Sequence, residues 1–144
     1  MRGDIGHVYL LSNPALGGIV KIGHTKKVDA QLRADELSAS TSIPLPFVVE
    51  CSWLVEHPSA CEARIHRRPE FCRVSKCREF FRIAPDEATA NINFLIYGTD
   101  DASESLLCQI TSLVALYRKY PESFQKADGL MAKIEHVLRG ELPS

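Results

Sequence analysis

The fold is decided by two short alternating segments near the start of the chain, His7-Val8-Tyr9-Leu10-Leu11 and Ile19-Val20-Lys21-Ile22-Gly23. Apolar side chains recur at the even positions of both, which is typical of β-strands with one face in a core. The prolines and glycines between them favour a turn, so we predict an antiparallel β-hairpin. If the even positions face the core, Tyr9 and Lys21 share the opposite face of neighbouring strands, with phenol and ammonium side by side.

The residues after the hairpin predict one further main strand and several helices. Residues 47–55 are rich in β-branched and aromatic side chains and are predicted to form the third strand. Helices are expected over residues 28–38, 58–68 and 85–96, and prolines begin the last two. The predicted fold class is therefore α/β of the α+β type, a small three-stranded antiparallel sheet flanked by helices. Residues 79–83 could add a short edge strand.

A polar break at residues 98–101 predicts a boundary between a domain over residues 1–98 and an extension over residues 99–144. Two amphipathic stripes predict that the extension is a helical hairpin, Leu106-Ile110-Leu113-Tyr117 and Leu130-Ile134-Val137. Apolar residues beside these stripes also need burial. Packing on the first domain would supply it, as would a homodimer or a protein partner bound through residues 101–139.

The charge of the chain is divided unevenly. The formal net charge is −1, but residues 1–83 carry +3 and residues 84–144 carry −4. A polyanionic partner is therefore expected to bind the first part. The five cysteines show no zinc-finger spacing, and no apolar run has the length of a membrane span, so we expect reduced thiols, no membrane partner and a cytoplasmic protein.

The order of several short motifs resembles the GIY-YIG nuclease superfamily. The main matches are Val8-Tyr9-Leu10, Val20-Lys21-Ile22-Gly23, Arg33 and Glu62. They resemble a divergent phage and bacterial branch in which Lys-Ile-Gly stands for Tyr-Ile-Gly. Weaker matches, between residue 6 and about residue 88, are Glu36-Leu37, the Thr41/Pro44/Pro46/Phe47 cluster, Glu62 with His66, and Glu79-Phe80-Phe81. Lys21 replaces a tyrosine, and Glu-Phe-Phe stands where many members have an asparagine.

The resemblance implies an endonuclease that hydrolyses phosphodiester bonds in nucleic acid, with DNA favoured. In this interpretation Tyr9 is the general base, Glu62 holds one Mg²⁺ or Mn²⁺, and Arg33 and Lys21 stabilise the phosphate. Positive charge on those two side chains would favour the phenolate of Tyr9. His24 is a further catalytic candidate. The alternative is a catalytically weak module that binds nucleic acid or protein within a phage-defence or mobile-element complex.

Each candidate also has a purely structural interpretation. Glu62 follows Ser59 by three positions, which is the spacing of a capping box. Arg33 could pair with a carboxylate of its own helix. His66 lies four residues after Glu62 and either supports the carboxylate from a second shell or simply packs. Tyr9 could be a packing tyrosine, and His24 a loop residue.

The stretch from residue 64 to residue 82 is rich in positive charge and aromatic rings. Six of its side chains are candidates for sequence-independent contacts with phosphates: Arg64, Arg67, Arg68, Arg73, Lys76 and Arg78. The alternative is a solvated positive surface without a ligand.

Overall fold

The computed structural model describes residues 4–26, 30–39, 44–74, 79–99 and 101–122. These residues fall into two compact units, one from Asp4 to Asp100 and one that begins at Asp101. Lys76, Arg78 and the second helix predicted for the extension lie outside the described residues. Within them, the four cysteines are free, and no helix is long and apolar enough to cross a membrane.

The first unit is built on an antiparallel sheet. Its strands are β1 (Ile5–Ser12), β2 (Val20–Thr25), β3 (Val48–Glu56) and β4 (Phe80–Phe81), in the order β3-β1-β2-β4. The predicted hairpin and fold class are confirmed. The sheet has four strands and not the three of the predicted fold class, because Phe80 and Phe81 pair with Lys21 and Val20 of β2. The short edge strand considered for residues 79–83 is therefore present.

Three helices belong to the first unit: α1 (Ala30–Ser38), α2 (Pro58–His66) and α3 (Pro85–Tyr97). A short 3-10 helix, Pro69–Phe71, follows α2. Pro58 and Pro85 stand in the first turns of α2 and α3. Backbone N–H groups in a first turn have no intrahelical acceptor, so the N–H that proline lacks costs no hydrogen bond there. The second unit contributes α4 (Ala102–Lys119), whose first turn is capped by the Asp101 carboxylate accepting from the Glu104 N–H at 2.9 Å.

Both faces of the sheet are buried. The even positions of the hairpin lie in a core with Trp53 of β3, Ile65 of α2 and Ile92 of α3, as alternation predicts. The odd positions are buried as well, because the small Ala30 and Ala34 let α1 approach the other face closely. The candidate residues on this second face are therefore enclosed by α1.

The helix α4 departs from its predicted apolar stripe. Leu106, the first member of that stripe, is 58% exposed, and so is Leu107. The least exposed side chains of α4 are Ser105, Val114 and Leu116.

Candidate active site

The candidate site lies where the edge strand β4 ends. Pairing of β2 with β4 stops at Lys21, and the Ile22 N–H still donates to the Glu79 carbonyl at 3.0 Å. From there β2 runs on through Thr25 beyond its β4 partners. Side chains from α1 on one face and α2 on the other can therefore approach the same edge.

Glu62 is buried in α2 and contacts two histidines. Its Oε2 contacts Nδ1 of His24 from β2, and its Oε1 lies 3.6 Å from Nε2 of His66. The same His66 nitrogen is 2.9 Å from the carbonyl of Ile22, which fixes the ring against β2. The structure therefore brings Glu62, His24 and His66 together.

The capping-box interpretation of Glu62 was wrong. The residue that caps α2 is His57, in a left-handed conformation with φ 52°, and no side chain makes the cap hydrogen bond. The Glu62 carboxylate points at β2 and not back at the start of its own helix.

Tyr9 is buried in β1, and its ring lies across Gly23 of the neighbouring strand. The two residues are partners in the β1–β2 register. A Cβ on Gly23 would overlap the phenol ring and its hydroxyl, so only glycine leaves room for Tyr9 at this position. The glycine of the Lys-Ile-Gly segment therefore has a direct steric role at the site.

Arg33 of α1 reaches the Tyr9 hydroxyl. The guanidinium forms a hydrogen bond with the phenol oxygen, and its NH1 atom also donates to Glu36 Oε2 at 3.1 Å. The structural alternative for Arg33, a pair within its own helix, thus exists beside the contact with Tyr9. The side chain is 39% exposed, so it can reach a ligand from this position.

The environment of Tyr9 disfavours its anion. Burial raises the pKa of Tyr9 above its ordinary value of 10.0, and nearby Glu79 and Glu62 raise it further. The Arg33 hydrogen bond lowers the pKa but does not outweigh burial. Arg33 thus favours the phenolate in the expected direction, but burial outweighs it, and Lys21 is not among the groups that shift the pKa of Tyr9.

Lys21 is engaged by a carboxylate and not by the phenol. Its Nζ lies 2.8 Å from Glu79 Oε2 and 5.1 Å from the ring centre of Phe80. The register sets Lys21 opposite Leu11, two residues away from the Tyr9 and Gly23 pair. The expected side-by-side arrangement of Tyr9 and Lys21 is thus corrected to a diagonal one.

Glu79 is the site residue that sequence reasoning missed. Its carboxyl group lies near enough to that of Glu62 to be influenced by it, and it pairs with Lys21 at 2.8 Å. Burial raises the pKa of Glu79, but the Lys21 ammonium prevails and holds the pKa below its ordinary value. The available signal was the Glu79-Phe80-Phe81 match, which gave the residue a position in the motif order without a role.

The two carboxyl groups make the cluster suitable for a hard cation. Neighbouring carboxyls share a site only with a proton or a cation between them, and Mg²⁺ usually takes one or two carboxylates plus water and phosphate oxygens. Within the described parts of the chain, no group of three or more Asp, Glu, His or Cys side chains forms a metal-binding cluster. A divalent ion at Glu62 and Glu79 would therefore have to take most of its ligands from water and substrate.

The predicted phosphate-binding residues are divided between surfaces. Arg64, Arg67 and Arg68, with Leu95 of α3, line an open groove of about 340 Å³. Arg73 instead lies over the ring of Phe81, 5.9 Å from its centre. The sequence predicted one continuous basic surface. The structure instead has an arginine groove beside α2 and α3, lined by Arg64, Arg67 and Arg68, and a separate contact of Arg73 near β4.

Comparison with known proteins identifies the first unit. Residues 6–96 match the T5orf172 domain, a phage-associated domain in the GIY-YIG/HNH-like endonuclease group with nuclease-like or DNA-binding function. No curated protein and no solved structure matches the chain. The matched segment is more than half of the 144 residues and includes the whole cluster from Tyr9 to Glu79. The chain belongs to the T5orf172 domain family.

Proposed function

We propose that this protein is a divalent-metal-dependent endonuclease that hydrolyses phosphodiester bonds, with DNA as its favoured nucleic acid. One observation carries the proposal: Glu62 lies buried among His24, His66 and Glu79 at the open end of β2, beside the Tyr9–Arg33 pair. The membership in a nuclease-like family and the motif order that resembles GIY-YIG enzymes support the same activity.

Hydrolysis of a phosphodiester requires an activated water, neutralisation of the charge on the phosphorus oxygens, and stabilisation of the leaving oxygen. We assign Tyr9 as the base that takes the proton from the water. Its oxygen already accepts a hydrogen bond from Arg33, so the phenolate that forms is met by a guanidinium. Because burial raises the pKa of Tyr9, the group rests as a phenol. It first releases its proton to solvent, and the phenolate then takes the proton of the attacking water and returns to the phenol.

Glu62 and Glu79 are the side chains that would hold Mg²⁺ or Mn²⁺. When bound, the ion would neutralise charge on the phosphate and the leaving oxygen. The His66 ring is held by its Nε2 contact with the Ile22 carbonyl and lies 3.6 Å from Glu62 Oε1, so it restricts where that carboxylate can lie. His24 has a side chain that is 35% exposed and contacts Glu62, which suits it to pass a proton between the cluster and solvent.

Lys21 has a supporting role in this proposal. Its ammonium neutralises Glu79, and the pair is 12% and 40% exposed at its two side chains. A cation or a phosphate that engages Glu79 or Lys21 would draw the pair apart, which would free the ammonium to stabilise the phosphate. The role of Lys21 therefore depends on substrate, unlike that of Glu62.

The alternative is a module of the same family that binds nucleic acid or protein but cleaves weakly, within a phage-defence or mobile-element complex. The raised pKa of Tyr9 and the pairing of Lys21 with Glu79 favour it. The retention of a buried carboxylate between two histidines favours the enzyme, because an unused buried carboxylate costs stability.

The deciding experiment is incubation of the protein with supercoiled, linear and single-stranded DNA, in Mg²⁺ or Mn²⁺ and in EDTA. An endonuclease converts supercoiled DNA to nicked or linear forms only when the ion is present. Binding without cleavage in either ion would support the alternative. Absence of both DNA binding and cleavage would remove the endonuclease and the nucleic-acid-binding form of the alternative, and would leave its protein-binding form.

A further inference from the structure

The arginine groove is a positively charged concavity within the first unit. All three of its charged lining residues are arginines, and its volume is about 340 Å³. Arg68 pairs with Glu70 at 2.9 Å, and Arg64 donates to the Leu95 carbonyl at 3.4 Å. Arg67 is exposed at the end of α2. Within the described residues, its guanidinium has no hydrogen-bond or ion-pair partner.

The groove and the candidate active site lie on different sides of α2. Residues on a helix are about 100° apart around its axis, so Arg64 projects about 200° from Glu62 and Arg67 about 140°. The exposed α2 residues that project between Glu62 and Arg67 are Ser59 and Ala63, and both have short side chains. A nucleic acid can therefore lie across this surface without meeting a long side chain.

We propose that the arginine groove binds a phosphate of the substrate at a distance from the bond that is cleaved, on the far side of α2. The inference rests on the proposed function. A helix with its side chains is about 10–12 Å wide, and base pairs rise about 3.4 Å along the DNA axis. The groove therefore binds the backbone about three to four base pairs from the scissile phosphate.

The charge of the groove is complementary to this ligand. Guanidinium groups recognise phosphate oxygens in bidentate fashion, and such contacts act on the backbone without reading the bases. Arg67 is the residue best suited to this contact, because its side chain is exposed and uncommitted. Arg64 instead contributes to the end of α3 through the Leu95 carbonyl, so its loss would also disturb that helix.

The test measures the salt dependence of DNA binding by the full chain. The Glu62→Gln background in EDTA prevents cleavage, and Arg67→Gln is compared with Arg118→Gln, the same charge change on α4. Fluorescence anisotropy with a duplex is recorded between 50 and 200 mM salt. We expect Arg67→Gln to lower the slope of log K against log salt by about 0.9, the value for one phosphate contact, and Arg118→Gln to leave it unchanged.

Cleavage kinetics provide a second measurement. In the protein with native Glu62, Arg67→Gln is expected to raise KM several-fold with a smaller effect on kcat, because the contact is remote from the reacting atoms. A slope equal to that of Arg118→Gln in a protein that still cleaves DNA would overturn this inference alone. So would a fall in kcat as large as that of Glu62→Gln. Absence of binding and cleavage in the wild-type protein would overturn the proposed function as well.

Discussion

At the scale of single residues, the environment of Tyr9 opposes the ionisation that its proposed role requires. It is 1% exposed, its oxygen accepts from Arg33, and the carboxylates of Glu62 and Glu79 lie near enough to oppose its ionisation. Burial protects a water-activating group from bulk solvent but also stabilises its protonated form. As the proposed base, Tyr9 therefore acts only in the small fraction of protein molecules in which it is a phenolate.

This environment predicts the pH dependence of cleavage. Because the pKa of Tyr9 is raised above 10.0, the phenolate amounts to less than about 1% at pH 8 and increases tenfold per pH unit. We expect kcat, measured at saturating DNA and constant Mg²⁺, to rise about tenfold per unit from about pH 6 to 9. Tyr9→Phe should lose most turnover and keep nearly the same DNA affinity. A plateau near pH 7 in the wild-type profile would assign the base to another group, such as His24.

At the scale of the elements, the β1–β2 hairpin and α1 form the Tyr9 side of the site. Gly23 gives the phenol ring its space on β2, and Ala30 and Ala34 bring α1 close enough for Arg33 to reach the hydroxyl. Three small residues therefore determine where two large functional side chains meet. A larger side chain at any of them would displace the pair.

Gly23→Ala tests this packing, with Gly17→Ala as its matched control. The added Cβ at Gly23 meets the Tyr9 ring, whereas at Gly17 nothing lies within 4 Å. We expect Gly23→Ala to lower the free energy of unfolding by about 1–3 kcal/mol, the cost of overpacking a core, and to reduce cleavage. Urea unfolding followed by circular dichroism measures the difference. Equal stability of the two variants would mean that the ring is not confined by Gly23.

The elements also show what the sequence could predict. Alternation predicted the hairpin and its core face correctly, because a two-residue period fixes which side chains point together. It could not predict the register, which set Tyr9 beside Gly23 and left Lys21 two residues away. The Lys21–Glu79 pair joins residues 58 positions apart through a two-residue strand, too short to produce a periodic signal.

The sequence predicted only in part which face of a helix each candidate side chain occupies. The spacing of Glu62 and His66 correctly brought both to one face of α2. The capping box had equally good spacing, and only the tertiary contact with His24 decided between them. The basic run of residues 64–82 was predicted as one surface, but the helix turned its arginines away from Glu62, and Arg73 went to the ring of Phe81 instead.

At the scale of the whole molecule, the first unit contains everything that the proposed reaction requires. Both core clusters and the complete candidate site lie between Asp4 and Asp100. The second unit begins at Asp101, in the acidic part of the sequence. The proposed catalytic function therefore belongs to the first unit, while a homodimer or protein partner bound through residues 101–139 stays a hypothesis for the second.

Truncation after Gly98 tests this division of roles. The truncated chain retains both core clusters, so we expect a folded, soluble protein that still cleaves DNA in Mg²⁺. Size-exclusion chromatography beside the full chain reports the oligomeric state. A monomeric, active remnant of a dimeric full chain would assign self-association to the second unit. An insoluble remnant would show instead that residues 99–144 complete the fold of the first unit.

The central claim is that the buried Glu62 cluster is the catalytic centre of a metal-dependent endonuclease. The most direct measurement compares cleavage of supercoiled DNA in Mg²⁺ by the wild-type protein, Glu62→Gln and Glu87→Gln. Glu87 is an exposed glutamate in the first turn of α3, so its variant controls for the loss of a carboxylate. We predict a loss of at least about 100-fold for Glu62→Gln, the scale of removing one charge-stabilising group, with the fold retained and Glu87→Gln unaffected. Cleavage by Glu62→Gln at the wild-type rate would contradict the account.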